Sequence, residues 1–139
     1  MPRRETIIVD SRDRLAGGSP SDFFVNLRPG LANVLSARLL YVDLPSPGGV
    51  SANELYYHLG TSLGSAVRSV SQGHPITFVV PRSGADGYRT FWTQDSQFNQ
   101  VLYEQPEEHV SSLAVSVRTR AGTAALASEW YMVIECTTA

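Results

Sequence analysis

The amino-acid sequence predicts an all-β domain, a sandwich or barrel built from eight or nine short strands. Extended runs rich in Val, Ile, Leu, Phe and Tyr recur along the whole chain, and clusters of Gly, Pro and Ser separate them. No amphipathic stretch of about ten or more residues lies between these runs, which disfavours a parallel α/β architecture. With 139 residues, no internal repeat and no long linker, the chain fits one domain over residues 1–139.

The N-terminal third contains the first three predicted strands. Thr6–Val9 is an apolar run, and Phe23–Leu27 alternates between two faces. Ala37–Leu44 is apolar on both faces for most of its length, a pattern typical of a central strand that is covered on both sides. Between the second and third runs, Pro29-Gly30 predicts a turn, and Leu31–Leu35 could form one helical turn.

The rest of the chain continues the same pattern of short strands. The remaining predicted strands are Leu55–Leu59, Ile76–Val80, Thr90–Trp92, the weaker Val101–Tyr103, Leu113–Val117 and Trp130–Ile134. Strands at this spacing are typical of a β-sandwich or a barrel, and an immunoglobulin-like sandwich fits the spacing nearly as well as a jelly roll.

Composition and charge exclude several classes of function. The net charge is −2, so the overall field gives no reason to expect a nucleic-acid-binding protein. All eleven basic residues are arginine, which reflects either a compositional bias or the use of guanidinium groups at interfaces. Two arginines near the start are not followed by a long apolar run, and no stretch is long enough to span a bilayer. We therefore expect a soluble protein without a classical signal peptide.

No spacing of reactive side chains indicates catalysis or metal binding. The histidines His58, His74 and His109 are far apart in the sequence, and Cys136 is the only cysteine. The chain has no Gly-x-Ser-x-Gly motif and no lysine for a phosphate-binding loop. Glu107-Glu108 is expected to be a solvated loop rather than a general acid and base. We predict a protein that is not an enzyme and uses no cofactor and no metal.

The charged segment Asp10-Ser11-Arg12-Asp13-Arg14 allows three interpretations. In a local one, Asp10 and Ser11 accept hydrogen bonds from backbone N–H groups at the end of a strand, and Asp13 pairs with a nearby arginine. In the second, arginines and carboxylates exchange bidentate bonds across an interface between subunits. The third is a calcium site, which the two carboxylates alone would not complete and which the interleaved arginines oppose.

Adjacent aromatic residues also point to an interaction surface. Phe23-Phe24 and Tyr56-Tyr57 place one ring on each face of a strand, so one ring of each pair would face water in an isolated sandwich. Several such pairs suggest that a neighbouring molecule covers part of the outer surface.

The opening segment resembles a family of small capsid proteins from large eukaryotic DNA viruses and their smaller relatives. The resemblance lies in a β-run ending in Asp-Ser-Arg-Asp-Arg, a Ser/Pro-rich gap before Asp-Phe-x-Val-x-Leu, an Asn-Val linker, and a long strand ending in Leu-Pro. In this chain these elements are Ile7–Arg14, Ser19–Leu27, Asn33-Val34 and Ala37–Pro45. The C-terminal half is similar through Phe98–Val101, Leu113–Val117, Gly122 and Trp130–Ile134. About two thirds of the chain take part.

The resemblance implies a single jelly-roll β-sandwich of about eight antiparallel strands that acts as a penton protein at the fivefold vertices of an icosahedral virion. Its expected partners are further copies of itself in a homopentamer, the major capsid protein and, as additional candidates, minor capsid proteins. The alternatives are a minor capsid protein away from the vertex, or a β-sandwich ligand-binding or adhesin module whose Tyr88 and Trp92 stack on the ligand. The chain is short for the family and has no room for an added outer domain.

The same resemblance strengthens the interface interpretation of the charged segment. The candidate intersubunit residues are Asp10, Arg12, Asp13, Arg14 and Tyr41. Residues 1–14 are expected to form an N-terminal arm and the first strand, and to reach toward a neighbouring subunit or the capsid interior.

Overall fold

Most of the described chain is antiparallel β-structure. A computed structural model describes residues 2–45, 54–64, 76–82, 90–93, 99–124, 126 and 128–139. The strands are β1 (Arg3–Asp10), β2 (Asp22–Leu44), β3 (Tyr56–Thr61), β4 (Phe78–Pro81), β5 (Thr90–Thr93), β6 (Gln100–Thr119), β7 (Gly122–Thr123) and β8 (Tyr131–Thr138). A single turn of 3-10 helix, Ser11–Asp13, follows β1. The prediction of an all-β protein is therefore confirmed.

The strands form one curled sheet because β2 and β6 are long enough to take part in two sets of pairings. The sheet order is β1-β8-β2-β6-β3-β4. The first part of β2 pairs with the last part of β6, which also pairs with β3. The last part of β2 lies between β8 on one edge and β5 on the other. The curled sheet encloses one hydrophobic core.

The core is built from the inward-facing residues of the alternating strands. Phe23 of β2 packs edge-on against Trp130, with ring centroids 5.9 Å apart. The fully or almost fully buried members from β2, β6 and β8 are Val34, Ala37, Leu39, Val42, Leu44, Leu113, Val115, Val117, Met132, Ile134 and Cys136. Burial of a Val, Leu or Ile side chain contributes about 1.5–3 kcal/mol, so these alternating positions hold the two halves of the sheet together.

The predicted break at Pro29-Gly30 is wrong, because β2 continues through it. The pairing of β2 with β6 shifts register between Asn26 and Leu31 and again between Val34 and Ser36. Asn33 has a positive φ of 53°, a conformation that asparagine tolerates better than most residues. Leu31 and Val34 are buried, so the segment is held in the sheet by its apolar side chains instead of forming a helical turn.

The two predicted strands of the C-terminal half, Val101–Tyr103 and Leu113–Val117, belong to the single strand β6. Glu107-Glu108 is exposed, as expected, but it lies on this strand and not in a loop. Hydrophobic alternation is interrupted over residues 104–109, Glu-Gln-Pro-Glu-Glu-His, so the sequence pattern predicts two strands where the structure has one.

The N-terminal segment is part of the sheet over most of its length. Arg3–Asp10 pairs with β8 along all eight of its residues. Val9 is buried in the core, and Ser11 donates its backbone N–H to the carbonyl of Trp130 at 2.9 Å. Removing residues 1–14 would therefore remove an edge strand of the sheet and not a detachable arm.

Several predictions concern residues outside the described part of the chain. These are His74, Tyr88 and Phe98, and some of the Gly, Pro and Ser clusters that separate the predicted strands, at residues 46–49, 73–75 and 83–87.

Candidate intersubunit interface

The end of β1 is organised by Asp10, which caps the 3-10 turn. Its Oδ1 accepts hydrogen bonds from the backbone N–H and from the Nε of Arg12, both at 2.9 Å. The guanidinium of Arg12 also reaches Oδ2, which makes the ion pair bidentate. This side-chain bond is the main reason why the pKa of Asp10 lies below its ordinary value. Both carboxylate oxygens are engaged by arginine, which argues against the calcium interpretation.

Arg14 and Ser11 make long-range contacts to Glu129, a residue that the sequence did not single out. Arg14 Nη1 lies 2.7 Å from both carboxylate oxygens of Glu129 and 2.8 Å from the carbonyl oxygen of Ser11. The Ser11 hydroxyl donates to Glu129 at 2.6 Å and accepts from the backbone N–H of Trp130 at 2.9 Å. These contacts bring the turn after β1 to the start of β8, and the bond from Arg14 is the main cause of the lowered pKa of Glu129.

Asp13 differs from its neighbours in the charged segment. It is exposed and takes part in no ion pair among the described residues. The predicted local pairing of Asp13 with an arginine is therefore wrong, because Arg12 is engaged by Asp10 and Arg14 by Glu129. The local interpretation is right for Asp10, while Ser11 bonds to a backbone N–H that is distant in sequence.

Tyr41 lies on the outer face of the sheet, at one side of an apolar patch. Its ring lies 5.6 Å from that of Tyr131. Val133 is opposite Tyr41 on one side and opposite Ile8 on the other, and Ile8 is 66% exposed. We call Ile8, Tyr41, Tyr131 and Val133 the outer patch. Trp130-Tyr131 is a further pair of adjacent aromatic residues with one ring on each face of the sheet, since Trp130 is buried and Tyr131 is half-buried.

Ion pairs lie at two borders of the outer patch. Asp10 is opposite Tyr131 across the ladder, so the Asp10–Arg12 pair lies beside the patch. Arg38 and Glu135, which are opposite each other on β2 and β8, form a second pair with 3.0 Å between Nε and Oε1. The structure thus brings three predicted interface residues, Asp10, Arg12 and Tyr41, to one face of the sheet. Arg14 instead binds Glu129 at the end of the sheet.

A second feature is a groove of about 390 Å³ between β1 and β2, lined by Glu5–Ile8 and Asn26–Leu31. β1 pairs with β8 on one edge only, and its other edge borders this groove. The ladder between β2 and the C-terminus ends at the bond from the Ala139 N–H to the carbonyl of Asn33. Between that bond and the one from the Leu15 N–H to the carbonyl of Phe24, the edge of β2 that faces β1 has no partner strand among the described residues, and this gap forms what we call the β1–β2 groove.

A third feature is a bulge on β6. Ser36 is opposite Leu102 and Val34 is opposite Glu107, so several residues of β6 between these positions have no partner on β2. We call Leu102–Glu108 the acidic bulge, because its exposed side chains include Glu104, Glu107 and Glu108. Leu102 is 73% exposed. The Tyr103 hydroxyl donates to the carbonyl of Leu63 at 2.6 Å, and burial raises the pKa of Tyr103 to about 12.

The histidines do not form a site within the described residues. His58 is buried with its ring 5.0 Å from that of Tyr56, while His109 is exposed on β6. Among the described residues, no group of three His, Cys, Asp or Glu side chains is placed to hold a metal ion. In the same part of the chain, no helix has the length and apolar character needed to cross a membrane.

No family model matches the chain, and no curated protein matches it. The resemblance to small capsid proteins therefore rests on the residues that carry it in the sequence.

Proposed function

We propose that this protein is a structural virion protein, a penton protein with a single jelly-roll fold that forms homopentamers at the vertices of an icosahedral capsid. The observation that carries the proposal is the order of the strands. The last part of β2 belongs to the series β1-β8-β2-β5, and the first part belongs to the series β2-β6-β3-β4.

These two series fit a jelly roll. If β2 is divided at its register shifts, between Asn26 and Ser36, each series is a four-stranded antiparallel layer. Their connections interleave as in two Greek keys, the arrangement common in capsid proteins. In an immunoglobulin-like sandwich, strands that follow each other in sequence often pair as hairpins within one layer. Fewer such pairs occur in the strand order seen here. The strand order thus favours the jelly roll over the alternative sandwich.

The outer patch supports assembly as the role of this fold. Ile8 is exposed, and the other three residues of the outer patch are half-buried. Accessible apolar surface beside ion pairs is typical of surfaces that a neighbouring protein covers. Asp10–Arg12 and Arg38–Glu135 hold charged side chains in fixed positions beside the patch, where they form part of a polar rim. Partners under this proposal are further copies of the chain and the major capsid protein.

Native mass spectrometry and electron microscopy of the purified full chain test the proposal. A pentameric mass and fivefold rings are the expected results. A trimer would favour the minor capsid protein, and a monodisperse monomer at all accessible concentrations would contradict a penton role.

A ligand-binding module is the second candidate, because the outer face also carries a depression of about 290 Å³. Small residues of β3 and β6, including Gly60, Ala114 and Ser116, line it together with Asp22 and Arg118. Phe24, opposite Ala114, is 57% exposed. Jelly rolls also occur in lectins. Glycan-array binding by a stable monomer would favour this function over capsid assembly. Tyr88 lies outside the described residues, and Trp92 is placed opposite Val42 in the ladder of β5.

A further inference from the structure

We infer that copies of this chain associate head to tail, with the acidic bulge of one copy seated in the β1–β2 groove of the next. This inference rests on the proposed function, because it identifies the contact that would build the ring. It follows from the charges, the apolar side chains and the positions of these two surfaces.

The two surfaces are complementary in charge. The exposed Arg28 lines the groove, and the exposed Arg3 and Arg4 directly precede its lining residues, so arginines outnumber the one lining carboxylate, Glu5. The acidic bulge presents the exposed Glu104, Glu107 and Glu108. None of these residues takes part in an ion pair among the described residues. Opposite charges without partners in their own chain can pair between chains, where they steer and orient association.

The two surfaces are also complementary in shape and apolarity. The bulge projects Leu102, and the groove offers Ile8, Leu27 and Pro29 as apolar contacts. Among the described residues, the outer edge of β1 has no partner strand, and an extended segment such as the bulge can bond to the backbone N–H and C=O groups of such an edge. The bond from Tyr103 to Leu63 ties the bulge to the body of the protein, which lowers the entropic cost of docking it.

The positions of the surfaces favour a ring. Arg3 of β1 lies opposite Thr138 of β8. Thr138 also lies opposite Val34 of β2, and Val34 lies opposite Glu107 of β6. The groove and the bulge are therefore at the same end of the sheet but on opposite edges of β2, with three strand spacings, about 14 Å, between Arg3 and Glu107. Two different surfaces on opposite flanks make a heterologous contact, and such contacts close into rings when the rotation between copies permits it.

Charge reversal on each surface tests the contact. One variant combines Arg4→Glu with Arg28→Glu, a second combines Glu104→Arg with Glu107→Arg, and a third carries all four substitutions. Sedimentation velocity and native mass spectrometry are recorded over a range of protein concentrations. We expect each double variant to weaken self-association by about tenfold or more, and the fourfold variant to recover it, because the swapped charges again have opposite signs.

Controls separate the contact from general effects on folding. Arg120→Glu changes an exposed charge in the turn between β6 and β7 that lines neither surface, and it should leave association unchanged. Circular dichroism reports whether each variant keeps the β-fold, and the neutral pairs Arg4→Gln with Arg28→Gln and Glu104→Gln with Glu107→Gln replace any variant that does not. Raising the salt concentration should weaken the association of the wild type and leave a smaller effect in the neutral variants.

The possible outcomes distinguish this inference from the proposed function. If the wild type forms pentamers and the double reversals assemble as well as it does, the penton role stands and the groove–bulge contact is wrong. Failure of a folded fourfold variant to recover association also overturns the pairing. If the wild type remains a monomer, both the contact and the penton role are contradicted.

Discussion

The charged turn after β1 and the groove–bulge pair use the same residue types in opposite ways. In the turn, Asp10 is bonded to Arg12, and Arg14 is bonded to Glu129. At the groove and the bulge, the exposed arginines and glutamates have no ion pair within the described residues. Charged side chains that form ion pairs within the chain stabilise the fold, whereas those without such a pair can bind another molecule.

Within the turn, the sequence separation of two bonded residues determines how much their contact stabilises the folded state. Asp10 and Arg12 are two residues apart, so their bond also forms readily in the unfolded chain. Ser11 and Glu129 are 118 residues apart, so their bond requires the folded sheet. The long-range contacts of this turn should therefore stabilise the native state, and the local pair should contribute little.

The largest effect that we expect on stability comes from Ser11→Ala. Ser11 is completely buried, and its hydroxyl accepts a hydrogen bond from the backbone N–H of Trp130 at 2.9 Å. Losing it leaves a buried donor unsatisfied, which costs about 1–3 kcal/mol. Urea denaturation followed by tryptophan fluorescence measures the shift in midpoint. An unchanged midpoint would contradict the role of Ser11 in joining the turn to β8.

Asp13→Ala is the matched control for this variant, since the two residues lie in the same turn. Asp13 is exposed and outside the ion pairs of the described chain. Its removal should leave the urea midpoint within experimental error of the wild type. A loss as large as that of Ser11→Ala would mean that the turn as a whole, and not the Ser11 hydroxyl, is responsible.

The next effect in size concerns the anchoring of the acidic bulge by Tyr103. Tyr103→Phe keeps the ring but removes the bond to the carbonyl of Leu63, which should cost about 0.5–1.5 kcal/mol. If the bond also orients the acidic bulge, Tyr103→Phe should weaken self-association by more than its loss of folding stability accounts for. Urea denaturation and sedimentation velocity on the same samples provide the two values. Equal association in both proteins would mean that the bulge needs no anchor to dock.

Sequence reasoning predicts the strands well where hydrophobic alternation is regular and fails where tertiary contacts decide. Phe23–Leu27, Leu113–Val117 and the C-terminal strand were recognisable because their buried side chains alternate. The continuity of β2 through Pro29-Gly30 was not, because two register shifts carry the strand across a segment with turn-forming residues.

The candidate interface was predictable to a smaller extent. The capping by Asp10 follows from a local preference, so the sequence alone indicated it. The partnership of Arg14 with Glu129 depends on the pairing of β1 with β8, and no local pattern identifies one glutamate among the acidic residues of the chain. The sequence around Glu107 contains no pattern that predicts a bulge, because the bulge arises from a register shift between β2 and β6 next to Val34.

A smaller effect should appear in the dependence of stability on pH. The pKa values of Asp10 and Glu129 are lowered in the folded state, mainly by bonds from Arg12 and Arg14. Groups with a lowered folded pKa stabilise the protein above their unfolded pKa, and this contribution is lost as the pH falls through the folded value. We expect the urea midpoint to fall as the pH drops below about 4.5, the ordinary value of Glu129. Glu129→Gln should flatten part of this acid limb, and an identical limb in both proteins would contradict the assignment.

The smallest effect should come from Arg12→Ala, which tests the distinction between local and long-range pairing directly. Its side chain is 73% exposed, and its bond to Asp10 is available to the unfolded chain as well. After its removal, Asp10 still accepts the backbone N–H of residue 12, so the turn keeps its cap. We therefore expect only a small decrease in the urea midpoint at neutral pH, together with an upward shift of the Asp10 pKa measured by NMR titration. A large loss of stability would show that the local pair orders the turn as strongly as the contacts to Glu129 do.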